Sequence, residues 1–151
     1  MILYRHCDRR FPYLWETADQ PAARWHGDGE GPVQYFSDTP SGAWAELLRH
    51  EGIRDERDLE GVRRALWAVD APLEGMRIAG PALKSPVLLG GLPSHETCRV
   101  EARRLRVEGV EALKAPSAAL KSGGAGGWKV DAAGTAPVRV LSRVRHLDAR
   151  S

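Results

Sequence analysis

The chain has 151 residues, 42% of them hydrophobic and 28% charged, a length and composition that support one buried core and exclude collagenous, coiled-coil and wholly disordered classes. Its net charge of +2 is too small to hold it on nucleic acid or an anionic membrane by bulk electrostatics, so neither partner is expected. The longest uncharged stretch, 85–94, falls far short of the roughly 20 apolar residues a membrane helix needs.

The opening Met-Ile-Leu-Tyr-Arg-His-Cys-Asp-Arg-Arg predicts a short strand at 1–5. It carries charge where a secretory signal has its apolar stretch, so a cytoplasmic location is expected. An ordered loop follows to Pro21. Gly27, Gly29, Gly31 and Pro32 crowd one turn, and the β-prone run Val-Gln-Tyr-Phe predicts a second strand at 33–36. Asp38 or Thr39 caps the next helix, Pro40 fits its first turn, and the helix ends at Gly52. Along it Ala43, Leu47 and His50 share one face, Trp44 and Leu48 the adjacent one, and Glu46 sits at the edge of this apolar stripe. A polar turn or short helix is expected between Asp55 and Gly61, then a strand at 62–69 in which Ala65, Trp67 and Val69 alternate. Ser94 is placed as N-cap of a helix running to about Glu108, with Cys98, Ala102 and Leu105 inward and Gly109 as its stop. Strands at 110–115 and 138–144 complete an α+β chain read as a single domain over 1–151, with a Gly-rich segment at 122–127 between them.

Charge is unevenly spread. Residues 1–60 hold 7 basic and 12 acidic side chains, net −5, and residues 61–151 hold 15 and 8, net +7. The arginines from Arg99 to Arg106 alternate with Glu96, Glu101 and Glu108 at helical spacing, which reads as a solvated face before it reads as a stripe for DNA. His95 and Cys98 with His6 and Cys7 lack a paired CxxC or HxxxH pattern, so no metal is expected. The glycines at 122–127 lack the Lys-Ser/Thr of a phosphate-binding loop. Cys7 and Cys98 are expected as free thiols.

The informative block is Ala-Arg-Trp-His at 23–26, the Gly-rich turn, Pro-Val-Gln-Tyr at 32–35 and Ala-Trp-Ala-Glu-Leu-Leu-Arg-His at 43–50, followed much later by Ala-Pro-Ser-Ala-Ala at 115–119. It resembles the RES domain. The resemblance implies a fold like the ADP-ribosyltransferase core, with curved split β-sheets and flanking helices. It also implies a family in which many members are bacterial toxins that consume NAD and are controlled by an Xre-type helix-turn-helix antitoxin. Carried over residue by residue, Arg24, Tyr35, Glu46 and Ser117 take the functional positions, and Arg5 matches an arginine near the start of the pattern. Trp25 and His26, the latter where the family usually has asparagine, line the same site.

The residue types suit that chemistry. Breaking the nicotinamide–ribose bond of NAD passes through a sugar with oxocarbenium character, which a carboxylate such as Glu46 stabilises. An arginine fork holds pyrophosphate oxygens with parallel hydrogen bonds, the role given to Arg24. Tyr35 offers an aromatic face to nicotinamide, and Ser117 a hydroxyl to a phosphate, a ribose or Glu46 itself. Taken singly, Arg24 and Glu46 read as an ion pair, Tyr35 as a core residue and Ser117 as a turn or cap; their order along the chain favours the site. NAD is thus expected as substrate, for hydrolysis, phosphorolysis or ADP-ribosyl transfer. The alternative is a catalytically inactive RES-like module that binds a partner protein.

Overall fold

The computed structural model describes residues 1–11, 14 and 19–120. The strand expected at 138–144, the Gly-rich segment at 122–127 and part of the loop before Pro21 lie outside the described residues. The fold is α+β, as expected, with two small sheets and three α-helices among the described residues. The chain divides into two compact units. Among the described residues the first takes Met1–Leu14, Tyr35–Pro72 and the chain from Ala119, and the second takes 19–34 and Leu73–Ala118.

In the first unit, β1 (Ile2–Asp8) and β2 (Arg64–Asp70) form an antiparallel pair, with Ile2 opposite Asp70 and Asp8 opposite Arg64. The strand expected at 33–36 does not form. Backbone pairing occurs one residue later and for one pair only, where Tyr4 and Ser37 exchange N–H···O bonds of 2.8 Å. A ladder needs several successive residues with free backbone groups, and the backbone N–H and C=O of Val33 are both taken by the Gln20 side chain, at 2.6 and 2.7 Å.

Helix α1 (Pro40–His50) begins as its sequence dictates. Thr39 Oγ1 accepts from the Gly42 N–H at 3.0 Å, and Pro40 occupies the first turn, where a missing N–H costs nothing. Gly52 takes a φ of +65°, a left-handed conformation that only glycine adopts without steric penalty. Gly42, Ala43, Ala45, Leu47 and Leu48 are buried, so the helix is covered around most of its circumference and not on a stripe alone. His50, expected on the apolar face, is exposed: it is the helix's last residue, beyond the packed turns. The polar turn near residue 57 is a 3₁₀ helix, Glu56–Leu59, closed by a reciprocal capping box between Asp55 and Asp58.

On β1, the Nδ1 atom of His6 is buried with no hydrogen-bond partner among the described residues. Burial first, then the charges of Arg64, Arg5 and His50, push the His6 pKa down to about 4. The unfolded chain therefore binds this proton more readily than the folded one. The stabilising effect of a neutral His6 is complete above pH 6.5 and is lost as pH falls from 6.5 toward 4, by about 1–3 kcal/mol for a partly buried group. Urea titrations at pH 7 and pH 5 check this: the parent loses stability between them, and His6→Phe loses less.

The second unit was less legible. A two-residue parallel pair, β3 (Ile78–Ala79) with β4 (Ala112–Leu113), replaces the longer strand expected at 110–115. A four-residue helix α2 (Ser85–Leu88) and a 3₁₀ turn at Leu92–Ser94 lead into α3 (His95–Val107). Cys98, Ala102 and Leu105 are buried on α3 as the spacing requires, and Gly109 stops it with a φ of +79°. Ser94 does not cap α3. Because the 3₁₀ turn runs straight into the helix, Ser94 is already helical, and its hydroxyl donates back to the Gly91 carbonyl at 2.8 Å. Glu101, 7% exposed, accepts from the Ala82 N–H at 2.7 Å and from Arg104 at 2.8 Å through both oxygens. These bonds hold its carboxyl down to about pH 2.

Candidate functional site

The seven sequence-predicted residues fall in both units: Arg5, Tyr35 and Glu46 in the first, Arg24, Trp25, His26 and Ser117 in the second. Within the first unit they come from adjoining segments. Arg5 lies at the centre of β1, opposite Trp67, and its guanidinium stands 5.9 Å from the Phe36 ring centroid. This is a cation–aromatic contact, next in sequence to Tyr35. Burial lowers the Arg5 pKa from its ordinary value, yet an arginine stays charged throughout the physiological range. Tyr35 is 37% exposed and is not the core residue its type suggests. Glu46 is half-buried on α1 between Ala45 and Leu47, neither of which exposes any surface. It stands one turn on from buried Gly42 and Ala43.

In the second unit, an antiparallel bridge between Ala23 and His26 closes a tight turn with Arg24 and Trp25 at its tip. His26 is 1% exposed, and its Nε2 lies 2.9 Å from the Pro21 carbonyl. The Arg24 guanidinium reaches the segment joining α2 to α3. Its Nη2 donates to the Gly90 carbonyl at 2.6 Å, and Nη1 donates to Ser94 Oγ at 3.1 Å and the Val87 carbonyl at 3.4 Å, with Cys98 Sγ at 3.8 Å. Gly90 must be glycine here, because a Cβ would lie 2.8 Å from Ser94 Oγ and 2.9 Å from the Pro86 carbonyl. These contacts of Arg24 thus run through Nη1 and Nη2, and tie its guanidinium to the protein itself. Ser117 is half-buried after β4, beside buried Ala118.

Sequence reasoning missed the residues that hold the Arg24 turn. Gln20 ties the turn's two ends through Val33. The arginines of α3 do pair with Glu96, Glu101 and Glu108 on a largely solvated face, as their spacing predicts, but three of them also reach across to the Arg24 turn. Arg99 Nε donates to the Ala23 carbonyl at 2.9 Å, Arg106 Nη2 to the Trp25 carbonyl at 3.1 Å, and Arg103 Nε to Glu30 Oε1 at 2.5 Å. The spacing of 99, 103 and 106 puts them on one helical face, which was the available signal.

A separate cleft of about 620 Å³ in the first unit is lined by residues that include Asp8, Arg10, Glu51 and Arg64. None of the seven predicted residues lines it, and two of its arginines are spent on ion pairs, Arg10 with Asp8 and Arg64 with Glu51. Among the described residues no group of three or more His, Cys, Asp or Glu is arranged to hold a metal. No helix among them is long and apolar enough to cross a membrane.

Compared with known families, the chain matches the model described as RES domain over residues 2–141. No curated protein matches it, and no solved structure does.

Proposed function

The chain belongs to the RES domain family, one linked to NAD use, and from that premise we propose that it consumes NAD by cleaving the nicotinamide–ribose bond. The observation that supports this reading best is Glu46, a half-buried carboxylate set among fully buried helix positions. As nicotinamide departs, the ribose C1′ becomes electron-poor, and a fixed negative charge close by lowers the energy of that state more than that of bound NAD. Tyr35, with more than a third of its surface open, supplies a face for the nicotinamide ring. Arg24 supplies a guanidinium suited to the pyrophosphate, and Arg5 is given to NAD by the family resemblance alone. Ser117 holds a ribose or phosphate oxygen, and Trp25 and His26 shape the wall beside Arg24. Hydrolysis, phosphorolysis and ADP-ribosyl transfer share this electrophile and this bond cleavage.

The same reading makes the protein a cytoplasmic toxin restrained by an Xre-type helix-turn-helix antitoxin that denies NAD the site. Expression in a bacterial host tests it. Induction of the parent chain should deplete intracellular NAD and arrest growth, and co-expression of an antitoxin encoded beside the gene should restore both. Steady NAD with normal growth, at matched levels of folded protein, would leave the binding-module alternative as the better account.

A further inference from the structure

We infer that Arg99, Arg103 and Arg106 of α3 are positioning residues for the reaction proposed above, acting by fixing the turn that carries Arg24; the inference rests on the NAD reading of that turn. Arg99 holds the carbonyl of the residue before Arg24, and Arg106 that of the residue after it. Arg24 is thus gripped on both backbone flanks by one helix face, while its guanidinium is anchored at Gly90 and Ser94, the latter abutting the start of α3. Arg103 fixes the turn's far side through Glu30. Glu30 Oε2 accepts the Gly27 N–H at 2.5 Å, Oε1 accepts from Arg103, and Arg106 lies 3.7 Å away. Arg103 in turn pairs with Glu96 at 3.0 Å, and Arg99 with Glu96 at 3.5 Å. The lattice closes tightly on Gly27, where a Cβ would lie 3.3 Å from Glu30 Oε2 and 3.4 Å from Arg103 Nη2.

Three long cations converge on one eight-residue segment. Arg103 and Arg106 keep 43% and 38% of their side chains exposed, and ion pairs so placed contribute little to folding. Positional precision is different: misplacing a substrate-positioning group by about 1 Å can cost up to about a hundredfold in kcat/KM, so a smaller loosening of the turn is expected to weaken NAD binding about tenfold. Beyond buried His26, the segment 23–30 is short and carries Gly27 and Gly29, and the arginines brace it from outside. Arg104 supplies the internal control. It binds Glu101 and Glu108 on α3 itself, and none of its hydrogen bonds reaches the turn.

The experiment compares the full chain with Arg99→Ala, Arg103→Ala, Arg106→Ala and Arg104→Ala by NAD kinetics, thermal midpoint and amide hydrogen exchange of the segment 23–30. The first three should raise KM for NAD about tenfold, leave kcat within about twofold, and speed exchange in 23–30, most clearly at Gly27 in Arg103→Ala. Arg103→Lys should recover part of the loss. Arg104→Ala should lower the thermal midpoint at least as much as the others, yet leave KM and exchange in 23–30 at parent values. Equal KM effects in all four, or unchanged exchange in the first three, would overturn the inference. A parent chain that leaves NAD untouched would instead overturn the NAD reading, and the exchange result would still report separately whether the arginines fix the turn.

Discussion

Glu46→Gln should lower the rate of NAD consumption by about a hundredfold or more while leaving the thermal midpoint within a few degrees of the parent's. The carboxamide fills the same half-buried space on α1, so the packing around Ala45 and Leu47 is kept. Only the negative charge is lost. Charge fixed before the reaction, at the point where positive charge develops, is the largest single contribution most active sites make, and removing one such group typically costs a hundredfold to a thousandfold. The loss should fall on kcat, because the interaction strengthens as the bond breaks and is weak with intact NAD. Initial rates by nicotinamide release, beside thermal denaturation of the same samples, check it. Unchanged turnover would remove Glu46 from the reaction.

Arg24→Ala carries the second large effect, and it acts on both fold and ligand. The substitution strips the Gly90 and Val87 carbonyls and the Ser94 hydroxyl of their guanidinium donor. Hydrogen bonds to charged groups contribute about 1.5–3 kcal/mol each, and partial hydration of these half-buried acceptors offsets some of that, so a loss of about 2–4 kcal/mol is expected. Arg24→Lys separates the two roles. An ammonium serves one of these acceptors well but lacks the planar fork. Urea denaturation should place the lysine variant between parent and alanine. Calorimetric titration with NAD should show both variants weakened to a similar degree. Parent-like NAD affinity in Arg24→Lys would confine Arg24 to the structural role its four contacts already demonstrate.

What the sequence made legible follows from the range over which each signal acts. Thr39, Pro40 and Gly52 act within a turn of their own positions, so α1 was readable to within two residues. Ser94, Glu96 and Gly109 bounded α3 equally well, although Ser94 turned out to face backward and not to cap. The strand expected at 33–36 failed because a distant side chain, Gln20, took the backbone groups that local propensity had assigned to a sheet. The pair β3–β4, two residues long with partners 34 positions apart, has no periodicity to read.

At the candidate site, Arg5, Arg24, Tyr35, Glu46 and Ser117 were singled out by the resemblance to the RES domain, since each residue type taken singly also reads as an ion pair, a core residue or a turn. The support for them was not legible. Arg99, Arg103 and Arg106 bind carbonyls and one carboxylate more than 70 residues away, and a carbonyl acceptor leaves no trace in the residue type that carries it. The same holds for Arg24: the glycine, valine and serine it anchors give no hint in sequence that an arginine would seek them.

The central claim is that this chain breaks the bond between nicotinamide and ribose, and the most direct test is product analysis of purified chain incubated with NAD. The account predicts that free nicotinamide appears in one-to-one proportion to the NAD lost, at a rate set by the parent chain and nearly absent in Glu46→Gln. Intact NAD after prolonged incubation with folded protein, with water, inorganic phosphate and protein acceptors all supplied, would contradict it.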